Sequence, residues 1–255
     1  MTSRGPNRSV WVRIVAGGAV LALLAGGAAW AWRARMDDRL LRSEPDAIAG
    51  QADLVRYAVA IGEPLYRQDC SGCHGADLRG DTSRGAPNLI DRDWLYGAGG
   101  VAEIQQTITY GVRSGSPKSR SLAVMPAFAH PDPGGREKVN ALTPAEIGDL
   151  VDFLFSIEGR SADAAAAARG ARLYADKGVC YDCHSRDAEG DQTVGAPNLT
   201  DRIWLYGDGS RAAVFRSIAE GREGACPAFG DRLGPVRTRA LAVFVQSRIQ
   251  QGRPT

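Results

Sequence analysis

The pentapeptide CSGCH at residues 70–74 returns as CYDCH at residues 180–184, so the chain carries the same motif twice. Each copy places two cysteines three positions apart and a histidine directly after the second cysteine. The 255 residues include only five cysteines and three histidines, so the two copies hold most of both. A disulfide framework is the plainest interpretation of paired cysteines in an exported protein. It does not explain why a histidine follows each pair.

Longer stretches around the motif also recur, so the chain contains an internal repeat. GAPNL at residues 85–89 and WLYG at residues 94–97 both return 110 positions later, at the same offset as the cysteine pairs. MPAF at residues 125–128 corresponds to CPAF at residues 226–229, at an offset of 101. The first copy therefore has nine extra residues between 112 and 124, and their serine, glycine and proline content is typical of a surface loop.

Helical patterns open and close each copy, which predicts a mostly α fold. Thr143-Pro144-Ala145-Glu146 is a capping box with proline at the first helical position. Apolar residues at helical spacing follow it, and a similar pattern begins at Ala240. We expect two domains, at residues 55–160 and 161–255, joined by a short connection. Loop-rich units of about one hundred residues are only marginally stable alone, so a large apolar cofactor is expected in each core.

The N-terminal region predicts a membrane anchor. Residues 14–32 carry no charge, and as a helix they cover about 28 Å, close to the thickness of the hydrocarbon layer. Trp11, Trp30 and Trp32 lie at the ends, where indole rings favour the membrane surface. We interpret residues 1–13 as a cytoplasmic N-terminus, 14–32 as a transmembrane helix and 33–54 as a linker. A cleaved signal peptide ending near Ala29 is the alternative interpretation.

The Cys-x-x-Cys-His motif is typical of covalent haem attachment. The two thiols form thioether links to the haem vinyl groups, and the adjacent imidazole binds the iron. A zinc site would need further ligands nearby, whereas these cysteine pairs lie in separate copies of one unit. A thioredoxin-like redox pair is the other alternative. The sequence therefore predicts two haem c groups, held by Cys70, Cys73, His74, Cys180, Cys183 and His184.

Residues 60–250 resemble two tandem class I cytochrome c domains. The GAPNL and WLYG elements resemble the membrane-anchored dihaem subunit III of cbb3-type cytochrome c oxidases in particular. The resemblance implies that the carbonyl oxygens of Pro87 and Pro197 accept a hydrogen bond from the second ring nitrogen of His74 and His184, respectively. It also implies that the haem domains are periplasmic, on a single-pass protein of a bacterial inner membrane. Four aromatic residues either donate to haem propionates or pack beside the haem: Trp94, Tyr96, Trp204 and Tyr206.

The sixth iron ligand distinguishes the two copies. Met125 lies in the element where the family places its axial methionine, so we expect His74 and Met125 at the first iron. His130 is a competing candidate. In the second copy Cys226 takes the matching position, and it is either a thiolate ligand, a neighbour of an open iron site, or an inert buried thiol. Thiolate ligation would lower the second potential, so that electrons pass from the second haem to the first.

The resemblance implies an electron-transfer protein that is not catalytic alone. Its expected donor is a cytochrome bc complex or a soluble cytochrome, and its expected acceptor is a terminal oxidase. The alternative is a peroxidase or gas sensor that uses an open position at the second haem. The net charge of only +2 gives no case for a nucleic-acid partner.

Overall fold

The computed structural model describes residues 8–132, 139–160 and 162–251, and these residues form helices joined by loops. Within those ranges only isolated β-bridges occur and no strand is formed, which confirms the predicted mostly α fold. A short 3₁₀ helix covers Asp46–Gly50. The α-helices are α1 Arg8–Arg42, α2 Ala52–Asp69, α3 Ser71–His74, α4 Val101–Tyr110, α5 Pro144–Ile157, α6 Ala164–Ala175, α7 Tyr181–His184, α8 Arg211–Glu220 and α9 Gly230–Gln251.

Helix α1 is one continuous rod of 35 residues. Its stretch from Val15 onward is long and apolar enough to cross a membrane, and its side chains there are exposed, as Leu21 at 68% shows. The C-terminal turns behave differently, because Met36 and Leu40 are buried against the folded body. The hydroxyl of Tyr57 in α2 also donates to the Asp37 carboxylate over 2.6 Å.

Much of the predicted linker at residues 33–54 is helical, since helix α1 continues to Arg42 and the 3₁₀ helix follows. An ion pair of 2.6 Å between Arg39 and Asp53 adds a further connection to α2. The C-terminal end of α1 is thus held against α2, the helix that leads to the first cysteine motif. The predicted N-terminal segment 1–13 lies partly outside the described residues.

The helices pack into two lobes, and these lobes do not contain the same helices as the two predicted domains. Helix α9 packs against α2 and α4, whereas α5 packs against α6 and α8. We call α2, α3, α4 and α9 the first lobe and α5, α6, α7 and α8 the second lobe. Each repeat was expected to close with its own C-terminal helix. In the structure, α5 of the first copy belongs to the second lobe and α9 of the second copy belongs to the first lobe. The lobes therefore do not follow the boundary between residues 160 and 161.

Two equivalent glycines mark the helix crossings. Gly62 of α2 lies against the backbone of Ala240, and Gly170 of α6 lies against the backbone of Asp149. A Cβ atom at either glycine would overlap a carbonyl oxygen of the opposing helix. Close backbone approach at these positions therefore requires residues without a side chain.

The short connection between α5 and α6 explains the exchange. Residues 158–163 leave room only for two neighbouring antiparallel helices, so α5 packs on α6 of the following copy. Arg169 strengthens this pair with two hydrogen bonds, of 2.7 and 2.6 Å, to the Asp149 carboxylate. Helix α9 then fills the corresponding position in the first lobe. The predicted capping box of α5 is present, with Glu146 N donating to Thr143 Oγ1 over 3.2 Å.

Candidate functional site

One continuous cavity of about 510 Å³ lies between the lobes and is lined by both Cys-x-x-Cys-His motifs. Most of its other lining side chains are apolar. Its walls include Leu89 and Ile104 from the first copy and Leu199 and Ile218 from the second. The arrangement thus brings the two predicted attachment sites to one shared space.

Each motif forms a single helical turn. His74 N donates to Cys70 O over 2.9 Å, and His184 N donates to Cys180 O over the same distance. Such a turn places the two thiols and the imidazole on neighbouring positions of one wall. The five cysteines, all within the described residues, form no disulfide. Burial raises the pKa of the Cys70 and Cys180 thiols to about 12, so both are protonated at neutral pH.

The two histidine rings are oriented by proline carbonyls. Nδ1 of His74 lies 3.0 Å from Pro87 O, and Nδ1 of His184 lies 3.0 Å from Pro197 O. This is the pairing that the resemblance implies. A carbonyl accepts only from a protonated nitrogen, so the contact places the proton on Nδ1 and leaves Nε2 as a free lone pair. Burial also lowers the pKa of both rings, which favours the neutral form that binds a metal.

Trp204 provides a test of whether the cavity fits a haem. Its Nε1 atom is buried and has no hydrogen-bond partner, although the side chain lines the cavity. A buried donor without an acceptor is costly, so this site fits an anionic or carbonyl group that enters the cavity. A haem propionate has that chemistry. The residues present therefore fit haem c, with thiols for attachment, imidazoles for iron and an indole for a propionate.

The tyrosines of the WLYG elements cross between the two copies. The Tyr96 ring lies against Gly195 of the second copy, and the Tyr206 ring lies against Gly85 of the first. An arginine guanidinium covers each ring at 4.8 Å, Arg120 on Tyr96 and Arg222 on Tyr206. Both rings also line the cavity. They consequently join the lobes, in addition to any contact with a bound group.

The structure exchanges the two candidates for the sixth ligand. Met125 packs into the apolar cluster of the second lobe, which also contains Cys180 and Trp204. Cys226 lies on the opposite side, where burial and then the charge of Cys73 raise the pKa of its thiol. The expected combination of His74 with Met125 is therefore not the one brought together. Met125 lies with the second motif and Cys226 lies with the first.

Backbone pairing explains this exchange. Val112 and Cys226 form two reciprocal hydrogen bonds of 2.9 Å, while Met125 and Arg222 form a pair of 3.1 and 2.9 Å. After α4 of the first lobe, the chain crosses to the second lobe before it reaches Met125. After α8 of the second lobe, it crosses to the first lobe before it reaches Cys226. His130 is exposed and does not line the cavity, so its position does not support ligation.

Several charged residues of the cavity wall were not among the predicted site residues, and Arg113 and Asp93 are two of them. Arg113 lies in the stretch 112–124, whose composition indicated only a surface loop. Asp93 directly precedes Trp94, and that position beside the repeated WLYG element was the available signal. Burial, and then the nearby Asp201 and Asp91 carboxylates, raise the pKa of Asp93 to about 6.

Comparison with known proteins agrees with these motifs. The chain matches the family described as cytochrome c oxidase, cbb3-type, subunit III over residues 58–154 and 165–245, which confirms two cytochrome units. The cbb3-type cytochrome c oxidase subunit CcoP of Cereibacter sphaeroides is 37% identical over 212 residues, covering 83% of this chain and 68% of that relative. The subunit FixP of Azorhizobium caulinodans is 38% identical over 216 residues, covering 84% and 68%.

A third relative, the subunit FixP of a Bradyrhizobium species, is 41% identical over 198 residues. The match covers 76% of this chain and 62% of that relative, less than two thirds of its length. The family is one of c-type cytochromes, whose cofactor is haem c. The chain therefore belongs to the subunit III family of the cbb3-type cytochrome c oxidases.

Proposed function

We propose that this chain is a single-pass, membrane-anchored dihaem cytochrome that passes electrons to a cbb3-type terminal oxidase. The observation that carries the proposal is that both Cys-x-x-Cys-His motifs face one cavity, each with its histidine held by a proline carbonyl. Haem c supplies an iron that alternates between Fe(II) and Fe(III) and so carries one electron. The protein attaches, orients and shields that group.

The side chains divide these tasks between them. Four thiols attach the two groups covalently: Cys70, Cys73, Cys180 and Cys183. Nε2 of His74 and Nε2 of His184 would each hold an iron from the wall that carries the thiols. Trp204 Nε1 would donate to a propionate of the group held by the second motif, which would give this buried indole the acceptor it lacks. The apolar lining excludes water, which stabilises the neutral reduced centre relative to the charged oxidised one.

We further propose that Met125 binds the iron held by His184, and that Cys226 binds the iron held by His74. The placement of Met125 with Cys180, and of Cys226 beside Cys73, supports this assignment. Cys226 would bind as the thiolate, because a ferric iron there would offset the burial that raises the pKa of the free thiol. An anionic thiolate favours Fe(III), whereas a neutral thioether favours Fe(II).

This assignment reverses the direction of electron flow expected from the repeat alignment. The site of His74 and Cys226 has the lower potential, and the site of His184 and Met125 has the higher one. Electrons therefore pass from the first lobe to the second. A potential difference of about 180 mV favours that direction by about a thousandfold, since each 59 mV is a factor of ten.

We propose a periplasmic location for both lobes, with helix α1 crossing a bacterial inner membrane. The donor in this proposal is a cytochrome bc complex or a soluble cytochrome. The relatives are named as subunits of cbb3-type oxidases, which favours electron transfer to the oxidase over the peroxidase or gas-sensor alternative.

The proposal is tested by removing one motif at a time from the full chain. The double change of Cys70→Ala and Cys73→Ala, and the double change of Cys180→Ala and Cys183→Ala, should each leave one covalent haem where the parent protein has two. Mass spectrometry and haem absorbance measure this. The purified oxidase complex carrying either variant should consume oxygen more slowly with a reduced soluble cytochrome as donor. A parent protein with fewer than two haems, or unchanged oxygen consumption in both variants, would contradict the proposal.

A further inference from the structure

Arg113 contacts both segments that lead to the candidate sixth ligands. Its Nε donates to Gly224 O over 2.5 Å, and one terminal nitrogen donates to Ala123 O over 3.0 Å. Ala123 lies two residues before Met125, and Gly224 lies two residues before Cys226. One guanidinium therefore binds two equivalent carbonyl oxygens. One belongs to the segment that leads to Met125 and the other to the segment that leads to Cys226.

This contact is not a repeated feature of the fold. Arg120 and Arg222 are structural counterparts, because each covers a tyrosine ring and donates through Nε to a hydroxyl, of Thr107 and Ser217 respectively. Arg113 follows Val112 as Glu223 follows Arg222, so the equivalent position of the second copy carries a carboxylate, which cannot donate to a carbonyl. A single side chain thus serves both segments, where the repeat itself would provide two.

The backbone of Arg113 is itself well fixed. Its φ is +47°, a conformation that residues with side chains rarely adopt. Its amide donates to Arg120 O over 3.1 Å, and the preceding Val112 is paired with Cys226. A planar guanidinium on a fixed backbone loses little freedom when it makes two bonds at once, and bonds from a charged donor are stronger than neutral ones.

We infer that Arg113 is a positioning residue that holds Met125 and Cys226 in place together. The inference rests on the proposed function, because it concerns the two sixth ligands named there. Loss of the guanidinium releases both carbonyls, so both ligand segments move away from their irons more often. A lysine retains the charge but lacks the planar set of donors of a guanidinium, so it binds one carbonyl at a time.

The test measures how often each sixth ligand leaves its iron. Cyanide added to the oxidised holoprotein enters only after the ligand has left, so the rate of cyanide binding reports this opening. Arg113→Gln should raise the rate at both haems by about tenfold, the effect of losing one charge-assisted hydrogen bond at each segment. Arg113→Lys should give a smaller rise. Lys118→Gln is the matched control, because it removes a nearby cation of residues 112–124 whose ammonium lies over the Tyr110 ring.

Near-infrared absorption of the iron–methionine bond and low-temperature EPR of the oxidised protein assign each rate to its haem. A rise at one haem only, or at neither, overturns the inference. The same result in Lys118→Gln as in Arg113→Gln also overturns it. Failure of the proposed function is recognised separately, because the parent protein would then lack two haems or show no spectrum for these ligands. If Arg113→Gln does not fold, the comparison of Arg113→Lys with the parent gives the same decision.

Discussion

Gly62 of α2 lies directly against the carbonyl oxygen of Ala240 in α9, although the two residues come from different copies of the repeat. This crossing closes the first lobe with the last helix of the described chain. Gly170 and Asp149 form the matching crossing in the second lobe.

Gly62→Ala is therefore expected to destabilise the protein. The added methyl group overlaps Ala240 O and the Cβ of Phe244, and overpacking of this kind costs about 1–3 kcal/mol. The measurement is the free energy of unfolding in urea. Gly148→Ala is the control, because Gly148 also lies within a helix but has no neighbour within 4 Å of an added Cβ. It should stabilise the protein by about 0.4–1 kcal/mol. Equal effects of the two changes on the free energy of unfolding would contradict a close contact between Gly62 and Ala240.

The exchange of Met125 and Cys226 can be tested in a protein with one haem. In a chain lacking Cys180 and Cys183, only the haem of the first lobe remains. Cys226→Met should then raise its potential by more than about 100 mV, because a neutral thioether replaces a thiolate. Met125→Leu in the same background should leave the potential unchanged. The opposite pattern would restore the pairing of His74 with Met125.

Trp204→Phe should lower the potential of the haem in the second lobe. The change removes the indole N–H that stabilises an anionic propionate and leaves the aromatic ring in place. The bond is present in both oxidation states, so only the difference in its strength shifts the potential, and the fall should be at most about 60 mV. A redox titration measures it, and Trp30→Phe is the control, since Trp30 is 73% exposed on α1. A potential that stays the same would show that the indole only packs beside the haem.

Asp93 is expected to make the protein less stable as the pH rises. Its folded-state pKa of about 6 lies above the value of about 3.9 in an unfolded chain. The stabilising contribution of the protonated carboxyl is complete below about pH 4 and is lost as the pH rises through about 6. Asp93→Asn should therefore raise the free energy of unfolding near neutral pH and have little effect near pH 4.

Urea unfolding at several pH values measures this dependence. Glu189→Gln is the control, since it also removes one carboxylate, from an exposed site outside the cavity wall. A pH profile that is identical in the parent and in Asp93→Asn would exclude Asp93 as the cause.

The sequence was sufficient for most of the architecture. The apolar run gave the anchor helix, and the capping box at Thr143 gave the start of α5. The contacts between the histidines and the prolines that follow each motif are local within each copy. These features depend on residues close together in the sequence.

The exchange between lobes could not be predicted in the same way. MPAF and CPAF have the same pattern, as do the apolar faces of α5 and α9, so either copy's segment fits either lobe. The structure separates them, with Phe128 N bonded to Ile218 O and Phe229 N bonded to Ile108 O. The physical signal was the short connection at residues 158–163, which forces α5 to pack on α6. Arg113 was missed because its role depends on contacts with residues distant in sequence.

The exchanged helices also constrain the order in which the two lobes are completed during synthesis. The second lobe has all four of its helices once residue 220 has been synthesised. The first lobe lacks α9 until residues 230–251 follow, although its cysteine motif leaves the ribosome much earlier. The N-terminal site therefore matures last, and a premature stop codon near residue 230 would damage the distant first lobe while leaving the helices of the nearby second lobe complete.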